Sequence, residues 1–205
     1  MGYRSRLLLL PCLTILACNS GANVTEPAID VQDVKHLRGL FHVKDYDERV
    51  AKERQQLIEM GEKAFPAYEA ILSDPESDSY EIGGVLGVLC EVKADRRRFL
   101  NHAVSRLTDI DSSVRHNAVI LLKQIGSAGE ASPVVALLSD KDKVVVHYAA
   151  KTLTAIGGSN EVVAMDVWLR GVSHRGDGDL RKHVQKCRDA LKKRLDEARA
   201  KDPSK

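Results

Sequence analysis

The sequence has few aromatic residues, cysteines and prolines. Of its 205 residues only 4% are Phe, Trp or Tyr, and it contains 4 Cys and 6 Pro. Few aromatics argue against a β-sandwich or barrel, whose pleated faces are filled by rings and branched side chains. So little Cys and Pro excludes a disulfide scaffold and a collagen. The 43% hydrophobic and 29% charged residues are typical of a globular protein with a sizeable core.

Residues 1–17 are predicted to be a signal peptide rather than part of the fold. Arg4 and Arg6 precede an uncharged, mostly apolar run that is too short to span a bilayer. The run ends in Thr14-Ile15-Leu16-Ala17-Cys18, which resembles the lipobox of bacterial lipoproteins. This resemblance implies that Cys18 is diacylated and becomes the new N-terminus. The alternative is ordinary cleavage after Ser20-Gly21-Ala22, which would release a soluble periplasmic or secreted protein.

We therefore expect an exported bacterial protein of the cell envelope, anchored to a membrane through Cys18 on the periplasmic or outer-surface side. Residues 18–33 are polar and are predicted to form a tether. Removal of residues 1–17 leaves equal numbers of positive and negative side chains, which argues against electrostatic nucleic-acid binding. Residues 181–205 keep a positive surplus, which fits a solvated last helix, with contact to anionic lipid or an acidic partner as the alternative.

A 31-residue repeat runs through the middle of the chain. The repeated pairs are Asp109/Asp140, Asp111/Asp142, Val114/Val145, His116/His147, Ala118/Ala149, Leu122/Leu153, Ile125/Ile156 and Gly126/Gly157. The apolar pairs recur at helical spacing, which predicts one buried stripe on each helix. Asp111 and Asp142 are suited to cap the first turn. Gly126 and Gly157 are expected to end each helix in a left-handed conformation.

The pattern D-x-D-x-x-V-R-x-x-A-x-x-x-L-x-x-I-G resembles the HEAT repeat in its short bacterial form. The residues that carry it are Asp109, Asp111, Val114, Arg115, Ala118, Leu122, Ile125 and Gly126. The next unit departs from the pattern at Val146, where the family usually has Arg. The resemblance is strong over 107–170 and partial over 46–106. The signatures of tetratricopeptide and ankyrin repeats are absent.

The resemblance implies an all-α, right-handed α-solenoid of about four HEAT-like helical hairpins within residues 34–205. We place the hairpins at about 45–74, 78–109, 111–140 and 142–172, followed by a C-terminal capping helix at about 179–200. The first helix of the second hairpin contains Gly83, Gly84 and Gly87, which we interpret as small packing positions in a looser helix.

The sequence contains none of the common catalytic or metal-binding motifs, such as G-x-S-x-G, H-E-x-x-H, a phosphate loop or C-x-x-C. His116 and His147 have no carboxylate or Cys one helical turn away, so we expect both on the outer surface rather than at a metal. Cys90 and Cys187 fall in different units and are expected to be free thiols. No cofactor, metal or small-molecule substrate is expected.

The predicted function is a non-catalytic protein-binding scaffold, because stacked repeats present an extended surface. The alternative is an enzyme or enzyme accessory, since some HEAT-like proteins resemble bilin lyases. In the HEAT family, first helices usually line the convex side and second helices the concave side. The predicted partner-binding residues lie on second helices and are Arg97, Arg98, Asn101, Arg106, Leu137 and Trp168. One hypothesis is that Leu137 and Trp168 form an apolar ledge in the groove. The alternative is that Trp168 packs between adjacent second helices or under the C-terminal cap.

Overall fold

The computed structural model describes residues 34–42, 48–171 and 178–201. Every regular element in these ranges is helical, which confirms the predicted all-α class. The α-helices are α1 Val34–Phe41, α2 Glu48–Met60, α3 Phe65–Ser73, α4 Ser79–Glu91, α5 Leu100–Ser105, α6 Ser112–Ile125, α7 Ala131–Val135, α8 Lys143–Ile156, α9 Ser159–Gly171 and α10 Gly178–Lys201. Short 3-10 segments lie at Gly61–Ala64, Arg97–Phe99, Arg106–Thr108, Ala128–Glu130 and Ala136–Ser139.

The helices alternate between two layers. We call α2, α4, α6 and α8 the first helices. The second helices are α3, the segment 97–108 around α5, the segment 128–139 around α7, and α9. Each first helix packs against the next one, α2 on α4, α4 on α6 and α6 on α8. This successive stacking of hairpins is the helical-repeat solenoid that the sequence predicts.

A helix covers each end of the stack. At the N-terminal end, α1 packs against α3 and α4, ahead of the four predicted hairpins. At the C-terminal end, α10 packs along both α8 and α9. The inner side of α10 buries Val184, Cys187 and Leu191, as the sequence predicts for a capping helix. These two helices shield the apolar faces that the terminal hairpins would otherwise expose to water.

The starts of α6 and α8 follow the predicted capping chemistry. The Asp111 carboxylate accepts a hydrogen bond from the Ser113 amide at 2.7 Å, and the Asp142 carboxylate accepts one from the Val144 amide at 2.8 Å. Each bond satisfies an amide that has no partner within its helix. The repeated aspartates therefore act in local structure, and they define where each first helix begins.

The ends of α6 and α8 differ from the prediction. Gly126 and Gly157 are extended, with φ of −76° and −71°, rather than left-handed. Close packing explains these glycines instead, because a Cβ at Gly126 would lie 2.6 Å from the carbonyl oxygen of Leu122. A Cβ at Gly157 would lie 2.5 Å from the carbonyl oxygen of Leu153. The sequence located the helix ends correctly but assigned the wrong backbone conformation.

Helix α4 is continuous although it contains three glycines. The ring of Phe41 in α1 lies over Gly84, where any Cβ would collide with it. A Cβ at Gly87 would come within 3.1 Å of the Arg54 guanidinium. Gly84 and Gly87 are therefore packing positions, as interpreted from the sequence, and they let α1 and α2 approach α4 closely. Gly83 differs, because a Cβ there would meet its nearest atom at an ordinary 3.5 Å.

Candidate protein-binding surface

The second helices expose the same three positions in every repeat, at i, i+4 and i+7. These exposed residues are Pro66, Ala70 and Ser73, then Asn101, Ser105 and Thr108, then Ser132, Ala136 and Ser139, and finally Val163, Val167 and Arg170. We call this set the second-helix face. Positions with this spacing share one side of a helix. The leucine positions of the same helices, Leu72, Leu107, Leu138 and Leu169, are all buried on the other side.

The second-helix face is made mostly of small, uncharged side chains, and Arg170 is its one ionisable residue. Its largest apolar members are Val163 and Val167, which lie one turn apart on α9 and are 59% and 56% exposed. Single exposed apolar residues are ordinary on protein surfaces, whereas neighbouring ones form a patch that a partner can cover. The apolar part of this face thus lies towards the C-terminal end of the stack.

The predicted arginines have different environments. The Arg98 guanidinium donates two hydrogen bonds of 2.7 Å to the Glu69 carboxylate, so it links two second helices. This carboxylate also raises the pKa of Arg98. Arg106 reaches back to the Leu72 carbonyl oxygen at 3.3 Å. Arg97 differs, because its side chain is 79% exposed beside Asp95. Of the three, Arg97 offers the most free surface to a partner.

Leu137 does not contribute to the hypothesised apolar ledge, and Trp168 packs as the alternative describes. Leu137 is only 5% exposed, because its 3-10 segment packs against the following first helix, α8. Trp168 is half-buried and packs against the hydrophobic core. The residues directly before them, Ala136 and Val167, are the exposed ones. Asn101 is exposed on the second-helix face, and partner binding by all six predicted residues stays a prediction.

A row of rings lies along the first helices and contradicts the expected outer-surface positions of His116 and His147. Both histidines are half-buried. The His116 ring meets Tyr148 of the next repeat edge-on, with centroids 4.5 Å apart. The His147 ring stacks on His183 of α10 at 3.7 Å. The histidines therefore contribute to packing between consecutive helices, which the repeat pattern alone does not reveal.

Burial lowers the pKa of two histidines in this row, His116 and His147. Desolvation lowers the pKa of His116, although the nearby Asp142 carboxylate opposes the shift. Desolvation also lowers the pKa of His147, and the neighbouring His183 and Lys151 add to the effect. The Nε2 atom of His116 is buried and has no hydrogen-bond partner. An unpaired buried nitrogen of this kind costs stability.

Both cysteines in the described part of the chain are free. The Cys90 thiol lies 3.5 Å from the Asn117 carbonyl oxygen, and burial raises its pKa to about 12. Burial also raises the pKa of Cys187, although Thr154 and nearby lysines oppose it. Each sulfur is therefore a protonated thiol near neutral pH, and the thiolate is the reactive form.

Some predicted features lie outside the described residues. These are the signal peptide 1–17, the lipid-bearing Cys18 and the tether 18–33. Among the helices that the structure does describe, none combines the length and the apolar character needed to cross a membrane.

The solenoid resembles designed helical-repeat proteins. A designed armadillo repeat protein, YIII(Dq.V1)4CPAF in complex with peptide (KR)4, aligns with a TM-score of 0.53 and 18% identity, over 78% of this chain and 85% of that chain. The designed armadillo repeat protein YIII(Dq)4CqI aligns with a TM-score of 0.48 and 20% identity, over 78% of this chain and 85% of that chain. A further engineered protein aligns with a TM-score of 0.49 and 18% identity, over 82% of this chain and 86% of that chain. No protein-family model and no curated protein matches the chain. The likeness to the first structure shows the fold alone.

Proposed function

We propose that the protein is a non-catalytic scaffold that binds another protein through the second-helix face. The observation that carries this proposal is the exposure of Val163 and Val167 on a face that otherwise holds small, uncharged side chains. Fully burying one Val side chain contributes roughly 1.5–3 kcal/mol. The small side chains on the other second helices leave room for a partner segment to lie close to the helices.

The partner's chemistry follows from the charges around this face. The designed armadillo protein named above is in complex with peptide (KR)4, a basic ligand. In this chain Arg170 is an exposed member of the second-helix face close to Val167 and favours a carboxylate on the ligand, whereas the charge of Arg97 is offset by the neighbouring Asp95. We therefore propose a partner segment that places an apolar side chain against Val163 and Val167 and carries carboxylates beside it.

We propose further that the protein is a HEAT-like repeat protein of the bacterial envelope, exported by residues 1–17 and anchored through lipid on Cys18. The lipobox-like sequence before Cys18 supports this placement. Metabolic labelling with a fatty acid tests it, with label expected on the wild type and absent from Cys18→Ala. An unlabelled wild type would contradict the anchor and leave the scaffold proposal standing.

The binding surface is tested by capturing partners with three matched baits from a detergent-solubilised cell extract. One bait is the wild type, the second carries Val163→Arg with Val167→Arg, and the third carries Val144→Arg. Val144 is a suitable control, because it is 52% exposed but lies on the first helix α8. Both variants change only exposed side chains, so neither should be less stable than the wild type.

We expect one protein to be enriched with the wild type and Val144→Arg baits and lost with the Val163→Arg/Val167→Arg bait. Equal thermal unfolding midpoints of the three baits would show that the loss reflects the surface. A captured set that is the same with all three baits would contradict binding through the second-helix face.

A further inference from the structure

Three side chains that can bind a metal meet where α1 ends and α4 begins. They are His42, Asp78 and Glu81, and one ligand atom from each lies within 4.8 Å of the others. The Nε2 atom of His42 is 3.4 Å from an Asp78 carboxylate oxygen and 3.4 Å from a Glu81 carboxylate oxygen. No local sequence pattern indicates this group, because His42 and Glu81 are 39 residues apart.

Each carboxylate uses one oxygen in local structure and directs the other at His42. Asp78 Oδ1 accepts the amides of Tyr80 and Glu81 at 2.9 and 3.1 Å and so caps α4, which leaves Oδ2 facing His42. Glu81 Oε2 accepts a hydrogen bond from the Arg38 guanidinium at 2.8 Å, which leaves Oε1 facing His42. The two remaining oxygens are thus held in place by groups that a metal would not disturb.

We propose that His42, Asp78 and Glu81 bind a zinc ion, with water as the remaining ligand. Zinc takes His nitrogen and carboxylate oxygen at about 2.0–2.2 Å, so two ligands of a tetrahedral ion lie about 3.4 Å apart. The two distances from His42 Nε2 match this spacing. Calcium and magnesium prefer all-oxygen sites, so the imidazole favours zinc over both.

The charge of the surrounding network also favours a divalent cation. The Arg38 guanidinium donates hydrogen bonds to Glu81 and Asp74. Its single positive charge is outnumbered by three carboxylates, those of Asp74, Asp78 and Glu81. Glu81 is 6% exposed, so its attraction for a cation is less screened by water than at an open surface. A bound zinc ion would balance the negative charge that remains in this network.

A zinc ion at this site would link α1 to the N-terminal end of the repeat stack. Helix α1 has only eight residues, and an isolated helix of that length is not stable in water. Its contacts with the stack include the Phe41 ring over Gly84 and the Arg38 bridge. A metal shared between His42 in the chain after α1 and two residues at the start of α4 would add a link that α1 alone lacks.

Zinc binding to the purified full chain, measured by calorimetry, tests the site with two variants and a control. His42→Ala removes the nitrogen ligand. Asp78→Asn removes the charge but keeps an N-cap acceptor, so α4 should still form. His36→Ala is the matched control, because it removes a nearby histidine, in α1, that lies outside the three-residue group.

We expect micromolar zinc binding that weakens about tenfold or more in His42→Ala and in Asp78→Asn, and that His36→Ala leaves intact. Zinc should also slow hydrogen exchange of the α1 amides in the wild type and not in His42→Ala. Zinc binding of equal strength in the wild type and His42→Ala, or no saturable binding at all, would overturn the proposal. Neither result would bear on the second-helix face, so the two proposals fail separately.

Discussion

Arg115 and Asp140 form a buried, two-bonded ion pair that joins consecutive repeats. Two guanidinium nitrogens of Arg115 each lie 2.7 Å from an oxygen of Asp140, and the side chains are 7% and 6% exposed. A third nitrogen donates to the carbonyl oxygens of Asp109 and Ile110 at 2.9 and 3.0 Å. Burial acts to raise the pKa of Asp140, but the Arg115 guanidinium and the Asp142 amide hold it below its usual range.

This pair explains one position of the repeat pattern. Arg115 belongs to α6, and Asp140 lies in the turn that leads to α8, so the pair fixes one hairpin on the next. Val146 holds the equivalent position in the following repeat and is 3% exposed. An apolar side chain there cannot form the same pair, so the departure from the HEAT-like pattern at Val146 changes a specific contact between repeats.

Replacing Arg115 by Ala should strongly destabilise the protein. The change leaves the Asp140 carboxylate buried without its cation, which costs roughly 3–5 kcal/mol when one partner of a buried pair is removed. Urea unfolding followed by circular dichroism measures the loss. Arg97→Ala is the control, because Arg97 is exposed, and it should change stability by less than about 0.5 kcal/mol. Equal losses in the two variants would contradict the role of the pair.

Alanine substitutions at two adjacent glycines of α4 should have opposite effects on the stability of the protein. At Gly83 the nearest atom to a new Cβ is 3.5 Å away, so Gly83→Ala should stabilise the protein by up to about 1 kcal/mol through helix propensity. At Gly84 the new Cβ would collide with the Phe41 ring, so Gly84→Ala should displace α1. Faster hydrogen exchange in α1 of Gly84→Ala alone is the expected result. Protection of α1 in both variants would show that Phe41 adapts.

His116 and Leu122 lie on the same helix, but substitutions at the two positions should have very different effects on stability. Leu122 is fully buried, so Leu122→Asp should cost several kcal/mol by placing a charge in the core. His116→Phe should stabilise the protein by about 1 kcal/mol, since it removes a buried unpaired nitrogen and keeps a ring against Tyr148. Thermal unfolding compares the two. A His116→Phe variant less stable than the wild type would show that the imidazole has a partner in solution.

Stability should fall as the pH decreases from 7 to 5.5. The pKa values of His116 and His147 are lowered in the folded protein, so the unfolded chain binds protons first, from about pH 6.5 downwards. The free energy of unfolding then decreases by at most about 1.4 kcal/mol per pH unit for each proton. Combining His116→Phe with His147→Gln should reduce this dependence. A wild-type unfolding midpoint that is constant over this pH range would contradict the shifts.

The sequence predicted features that depend on local pattern. Asp111 and Asp142 cap their helices as expected, because capping needs only the next two or three residues. Buried leucines such as Leu122 and Leu153 follow from helical spacing and the 31-residue repeat. The all-α solenoid follows in turn, since hairpins with one apolar side must stack.

The sequence failed where contacts between repeats decide the outcome. Leu137 was expected at a groove, but α8 covers it from the following repeat. His116 was expected on the outside, but Tyr148 of the next first helix packs against it. The meeting of His42 with Asp78 and Glu81 likewise depends on how α1 docks on α4. None of these contacts can be predicted from the residue spacing within a single repeat.

Site-specific photo-crosslinking in living cells tests the scaffold account most directly. A photoreactive amino acid is placed at Val167, on the second-helix face, and in a parallel strain at Val144, on the first helix α8; both positions are exposed. The account predicts one crosslinked protein of defined mass at position 167 and none at position 144. A crosslink at position 144 with none at position 167 would contradict binding through the second-helix face.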